Sequence, residues 1–598
     1  KDIDEVDFST GSVGLGVAMT AFAALVQDYV AMKQWPGEAV PTGRMVALMG
    51  DAELDEGNVF EAMLEGWKHD VRNTWWIVDY NRQSLDSVIT DRLFGRLDDI
   101  FRTTGWRVIT LKYGNMLQSA FATSDGEALR RWIDDCPNSL YSALTYKGGP
   151  GWREHLRKDL GDVPGLRPII EDYEDRDLHD LMTNLGGHDM AAVLDCFENI
   201  EGDEPTCFIA YTVKGKELPL AGHKDNHAGL MSPEQMAEFQ SRMKVPQGAE
   251  WEPMAGLDVD QEDLQRFLDQ VPFAQVASRR HQAATITVPA QLSKPETDKA
   301  ISTQEAFGRI LFDTAARDDE FARRIVTTSP DVTVSTNLGG WVNRRGIFDR
   351  HPREDIFREE KVVSAQRWAM HPDGQHIELG IAENNLFLTL AALGLSHSLF
   401  GKRLLPIGTL YDPFVSRGLD ALNYACYQDA RFMLVGTPSG ITLAPEGGAH
   451  QAHETPLITL AQPGMTAFEP AFVDELAVIM RWGFEHMQAD DGGSVCMRLS
   501  TRMLDQPDRT LGIGGIADVI AGAYWLKPPA PGTELVIAFA GAVAPEAMAA
   551  HAQILEDIPG AGLLVVTSSD RIHADWMATR RARISGEGAG SAAQIAHI

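Results

Sequence analysis

Basic residues and cysteine are what this sequence is short of. Only 53 Lys and Arg stand against 85 Asp and Glu, a formal net charge of −32. A nucleic-acid surface needs clustered Lys and Arg, and so does a protein lying on an anionic membrane, so neither partner is expected. The five cysteines, Cys136, Cys196, Cys207, Cys426 and Cys496, form no CxxC pair. That spacing excludes a disulfide scaffold or a cysteine zinc site and fits a reducing, cytoplasmic setting. Long apolar runs are missing too. The best candidate, residues 13–26, is broken by Gly14, Gly16 and Thr20, short of the ~18 residues that a membrane span needs. There is no basic leader with a cleavage site, and the chain opens on Lys1 instead of Met.

What is present is material for several α/β cores: 598 residues, 44% of them hydrophobic. Residues 14–32 read as an Ala- and Val-rich helix, 44–49 (RMVALM) as a short buried strand, and 59–69 as an amphipathic helix. Further strand runs are 74–79 (TWWIVD) and 207–213 (CFIAYTV). Strands alternating with helices predict doubly wound parallel sheets. Residues 244–297 lose periodicity and read as a linker. Ser302 and Glu305 then have the spacing of a capping box. A second α/β block follows, with strand runs at 324–329, 431–436 and 494–499 and an apolar helix at 386–395. From Gly512 two more strand runs, 534–541 and 562–568, form a third segment.

The densest chemical signal is GDAELDEG…TWWIVDYNRQSLD, residues 50–86. Asp51 and Asn81 each follow a strand run, thirty residues apart, so neighbouring strand ends would bring a carboxylate and an amide oxygen together. Such oxygen donors suit Mg²⁺ holding a diphosphate; an N-cap Asp and a turn Asn are the alternative. Tyr411 and Phe414 share a helical spacing. His450 and His453 lie three apart in a Gly-rich loop, without the further ligands that a zinc site needs.

The Gly50-Asp51…Asn81 pattern resembles the cofactor motif of the thiamine-diphosphate-dependent transketolase-like superfamily. The NRQSLD ending, GGPGWREHL (148–156) and NLGGHD (184–189) are most similar to the homodimeric pyruvate dehydrogenase first component. The resemblance implies a diphosphate-binding domain (1–243), a linker (244–297), a pyrimidine-binding domain (298–511) and a partial C-terminal α/β domain (512–598). It also implies thiamine diphosphate and Mg²⁺ as cofactors, the metal held by Asp51, Asn81 and the backbone carbonyl of Gln83. Gly50, Ala52, Glu53, Lys214, Asp331, Ile381, Tyr411 and Phe414 would line the cofactor, with Ser12 and Val13 from TGSVGLG (10–16). Ala52 departs from the glycine usual there, and it alone favours a regulatory paralogue without turnover.

In IELGIAENN (377–385), Glu383 matches the family's catalytic glutamate. A carboxyl group there hydrogen-bonds a ring nitrogen of the aminopyrimidine and promotes the tautomer that activates the thiazolium carbon. His227, His450 and His453 would exchange protons, and His223, Lys224 and Arg502 would contact substrate. The implied reaction is decarboxylation of a 2-oxo acid with acyl transfer to a lipoylated acyltransferase partner. Ketol transfer between sugar phosphates is the alternative, favoured by SPDVTVSTN (329–337), AHQAHE and Arg502. Family members are homodimers with active sites at the subunit interface, and they extend beyond the positions matching Lys1 and Ile598, so an incomplete chain is expected.

Overall fold

The computed structural model describes residues 6–8, 11–33, 35, 42–84, 87–275, 280–296 and 299–586. Thr10, Leu85 and Asp86, which belong to the motifs above, lie outside them. Contacts divide the chain into two compact units: residues 43–67 with 71–279, and residues 1–42 and 68–70 with 280–598. The cut between residues 279 and 280 falls inside the expected linker, 244–297. Both units are α/β with mainly parallel strand pairing.

In the unit built on residues 43–279, β1 (Met45–Gly50), β2 (Thr74–Tyr80), β3 (Arg107–Leu111) and β4 (Thr206–Tyr211) form one parallel sheet in the order β1-β2-β4-β3. Every residue of β4 is buried, the pattern of a parallel strand covered on both faces. Trp76 packs its ring against Trp106 at 4.4 Å, tilted by 41°, and meets Phe101 edge-on. These rings fill the space between β2 and the helix Leu93–Thr103.

The other unit carries β5 (Ile325–Pro330), β6 (Ile347–Phe348), β7 (Met370–His371), β8 (His376–Leu379), β9 (Leu405–Leu410), β10 (Met433–Gly436), β11 (Met465–Phe468) and β12 (Ser494–Arg498). Their order is β11-β12-β10-β9-β5-β8-β6-β7, all pairs parallel. Chain order reverses at β5, which has β8 on one side and β9 on the other. Such a switch point opens a crevice at the carboxyl ends of the strands. A three-stranded sheet follows, from β13 (Ala523–Lys527), β14 (Val536–Phe539) and β15 (Gly562–Val566), with β13 antiparallel to β15. One hydrophobic cluster runs from Phe307 and Trp341 through Met433 and Met497 to Leu563 and Val565, so the two sheets share a core.

Two apolar helices of this unit pack together, Leu15–Met32 and Glu383–Leu399. Gly14, at φ 83°, starts the first in a backbone region that a side chain rarely enters. Sequence reading found no run long enough to span a membrane. The structure does form one such helix, Leu15–Met32, and most of it is buried within its own unit. A helix apolar on all sides is a core helix when it is covered in this way. Ser302 caps the helix Thr303–Ala315, its Oγ accepting from Glu305 N at 3.1 Å.

Candidate functional site

In the first of these units the candidate residues gather at the carboxyl ends of β1, β2 and β4. Asp51 follows Gly50 directly, in a 3₁₀ turn over Asp51–Asp55. Gly50 N donates to Glu53 Oε1 at 3.0 Å, closing that turn. Ala52 sits inside it without a left-handed backbone, so the absence of a glycine costs nothing in local conformation. Asp51 is 3% exposed, and its Oδ2 accepts from Arg82 N at 2.9 Å. Burial pushes its carboxyl group up to about 6; the Arg82 backbone N–H opposes that shift and the neighbouring Asp79 adds to it.

Asn81 Oδ1 accepts from Gln83 N at 3.0 Å, which shapes the loop after β2. Gln83 Nε2 donates to the carbonyls of Gly222 and His223, 3.3 Å each. Lys214 Nζ donates to Ser84 O at 3.1 Å, and Asn226 Nδ2 to Lys214 O at 2.6 Å. The 212–229 segment is thus fastened to the Asn81 loop at several points. Within it His223 meets the Tyr146 ring edge-on, while Lys224 and His227 are exposed. The sequence reading assigned His188 no role. The structure puts it here, its Nε2 accepting from Val213 N at 2.8 Å. Burial lowers its proton affinity, so the ring is neutral with its proton on Nδ1.

Among the described residues no group of three or more His, Cys, Asp or Glu side chains is placed to hold a metal. One desolvated carboxylate beside an amide oxygen and backbone carbonyls instead fits a hard cation that keeps other oxygen ligands from a phosphate. The elevated Asp51 carboxyl group is the observation that supports this: a cation beside it would remove the cost of its buried charge.

In the other unit the candidates line the carboxyl ends of β5, β8, β9 and β10. Asp331 follows β5 with φ 62° and is exposed. Glu383 begins the helix after β8 and is 5% exposed; its Oε1 accepts from Arg417 at 3.0 Å. Ile381, two residues earlier, is 69% exposed. Tyr411 and Phe414 follow β9 with nearly parallel rings, 6° apart in plane and 6.1 Å between centroids. His450 meets both edge-on, at 6.2 and 5.7 Å, and its buried Nδ1 has no hydrogen-bond partner among the described residues. A pair of aromatic faces beside an orphaned ring nitrogen fits a planar heteroaromatic group. Ser12 donates to Asp420, while Val13 is half exposed. His453 is exposed, and its backbone N–H donates to Glu454 Oε2 at 2.9 Å. Arg502 is committed elsewhere: its guanidinium makes a bidentate pair with Glu546 at 2.6 and 2.8 Å and donates to Ala542 O.

Parallel α/β sheets with polar residues at the carboxyl ends of their strands define a broad class of ligand-binding α/β proteins. Comparison narrows the class. Residues 286–507 match the family described as pyruvate dehydrogenase E1 component, middle domain. The pyruvate dehydrogenase E1 component of Cupriavidus necator is 25% identical over 545 residues, 87% of this chain and 59% of that protein. That of Mycolicibacterium smegmatis is 24% identical over 601 residues, 95% of this chain and 61% of that protein. The chain therefore spans about three fifths of the length of these relatives. The transketolase structure from Leishmania mexicana superimposes with a TM-score of 0.62 at 18% identity, covering 96% of this chain and 72% of that one. Transketolase from Campylobacter jejuni gives 0.58 at 15% identity, covering 95% and 73%. Over most of its length the chain is similar in sequence to pyruvate dehydrogenase E1 components and in fold to transketolase.

Proposed function

We propose that the chain is a thiamine-diphosphate- and Mg²⁺-dependent enzyme that decarboxylates a pyruvate-like 2-oxo acid and passes the acyl unit to a lipoyl group on a partner acyltransferase. It acts as a homodimer with active sites at the subunit interface. The observation that carries the reading is the placement of Asp51, Asn81 and Lys214 at the carboxyl ends of one parallel sheet. When bound, thiamine diphosphate supplies a nucleophilic carbon and an electron sink.

The protein's own part follows from its geometry. Asp51, Asn81 and the Gln83 carbonyl would hold the metal, and Lys214 adds positive charge to the same loop. Neutral His188 fixes the backbone at Val213 and so the path of the 212–229 segment. Glu383 would hydrogen-bond a cofactor ring nitrogen, in a buried setting that excludes water from the exchange. Tyr411 and Phe414 set the plane of the ring, and Ser12, Val13, Asp331 and Ile381 border it. His450 exchanges a proton with the substrate; His223, Lys224, His227 and His453 act from the surrounding loops. The pairing of Arg502 with Glu546 favours a 2-oxo acid over a sugar phosphate, because a phosphate would have to displace an existing bidentate carboxylate.

Two measurements test this. Calorimetric titration with thiamine diphosphate and Mg²⁺ should show metal-dependent binding, and its absence would overturn the cofactor reading. Single-turnover assays with pyruvate and a lipoylated domain should give acyl transfer. Turnover of xylulose 5-phosphate with an aldose acceptor, and none of pyruvate, would instead establish ketol transfer.

A further inference from the structure

The unit built on residues 43–279 also contains a cavity of about 160 Å³ that the proposed reaction does not use. Tyr80, Arg82, Lys112, Asn138, Tyr141 and Tyr211 are among its lining residues. Arg82 is the unusual one. As a residue it is only 7% exposed, yet it carries a permanent charge. Its guanidinium lies 4.1 Å from the centre of the Tyr141 ring and 5.8 Å from that of Tyr211, and one nitrogen donates to Thr212 O at 3.3 Å. Among the described residues, its Nε is buried without a hydrogen-bond partner, and so is the hydroxyl of Tyr211.

The other charges around the cavity are matched. Lys112 pairs with Asp134, which also accepts from Tyr113. Arg92 lies 3.6 Å from Asp135. Asp91 accepts from the Asn138 backbone N–H at 2.7 Å. Among the described lining residues, Arg82 is the cation whose side chain has no carboxylate in contact. A buried cation left without an anion is strongly unfavourable, and buried donors without acceptors add to that cost. The cavity supplies room for the missing partner.

We propose that this cavity is a binding site for a small organic carboxylate, its oxygens received by the Arg82 guanidinium. A guanidinium offers paired N–H donors in the geometry of a carboxylate. The walls of Tyr80, Phe94, Tyr141 and Tyr211 suit a short carbon chain or a ring better than a bare inorganic ion. A cavity of about 150 Å³ accommodates a molecule as large as benzene, which sets the upper size. The site is connected to the Asn81 loop through Arg82 itself, whose backbone N–H holds Asp51.

The test is calorimetric titration of the cofactor-free full chain with propionate and, separately, with inorganic phosphate. Because no cofactor is present, the outcome is independent of the proposed reaction. One propionate per chain is expected, with phosphate at least about tenfold weaker. Arg82→Met should weaken propionate binding by about tenfold or more, and Arg82→Lys, which keeps the charge but loses the paired donors, by about threefold. No propionate binding up to about 20 mM, tighter binding of phosphate than of propionate, or unchanged affinity in Arg82→Met would each overturn the assignment. If Arg82→Met does not fold, Arg82→Lys decides alone; unchanged affinity there overturns the proposal equally.

Discussion

Replacing Asp51 by Asn should stabilise the cofactor-free protein at alkaline pH while abolishing its response to cofactor. The reasoning starts from the carboxyl group being held at about 6 instead of its ordinary 3.8, chiefly by burial. A carboxyl group raised in this way binds its proton more tightly in the folded chain than in the unfolded one. It therefore disfavours folding increasingly as pH climbs from about 4 through about 6, and the full cost is present by pH 8. At about 1.36 kcal/mol per pH unit, the cost is about 3 kcal/mol. An Asn side chain keeps an acceptor for Arg82 N and is neutral like the protonated carboxyl group, and the value of about 6 already includes that hydrogen bond. The net gain is then about 3 kcal/mol at pH 8 and vanishes near pH 4. For a unit of this size it appears as a thermal midpoint higher by about 6–12 °C. Melting curves of both proteins, in chelator and at pH 4.5 and 8, read it directly. A variant no more stable than the parent at pH 8 would refute the argument that Asp51 carries an uncompensated buried charge. In the parent alone, added thiamine diphosphate and Mg²⁺ should raise the midpoint.

Three further outcomes are expected. Glu383→Gln should leave cofactor affinity within about threefold and cut single-turnover rates by about a hundredfold or more, the size of a lost general acid–base; parent-like rates would remove Glu383 from that role. Arg498→Met strips the partner from Asp412, a fully buried carboxylate that Arg498 contacts at 2.9 to 3.2 Å, and should cost about 3–5 kcal/mol in denaturant melts. Burial pushes the Cys136 thiol up to about 11 and those of Cys426 and Cys496 to about 12, and raises Cys196 and Cys207 as well. A thiol reagent at pH 8 should therefore label all five rapidly only after denaturation.

The strands that organise both half-sites were legible because parallel strands are short apolar runs closed by polar residues. RMVALM became β1 and TWWIVD became β2, each ending where Asp51 or Asn81 begins. The functional residues that escaped notice act through tertiary neighbours. Arg82 sits inside the quoted NRQSLD run, yet nothing in that run shows that its side chain meets Tyr141 across the fold. His188 and Arg417 are similar, since their partners Val213 and Glu383 lie 25 and 34 positions away. The strand Ala523–Lys527 was also missed. It is half exposed, antiparallel to β15 and bulged, so it carries neither an unbroken apolar run nor clean alternation. The grouping of residues 1–42 with 280–598 depends on helix packing at long sequence separation, which local patterning does not encode.

The segment after β9 joins the candidate aromatic pair to a buried ionic network. In Tyr411-Asp412-Pro413-Phe414 the two rings are partly exposed and face His450, while Asp412 and Pro413 are buried between them. Asp412 takes the Arg498 guanidinium from β12 and the Gly440 backbone N–H, and its own carbonyl accepts from Thr455 Oγ1 at 3.3 Å. Arg498 also reaches Glu469 at 2.7 Å, and Glu469 N donates to Thr567 O at 2.8 Å, just past β15. The aromatic pair is therefore held by a buried ionic network that extends to the C-terminal sheet. Ring geometry at a binding site depends on such support, because a misplacement of about 1 Å is enough to lose function. A defect at the C-terminal end of this network should thus disturb Tyr411 and Phe414 before it unfolds the sheet that carries them.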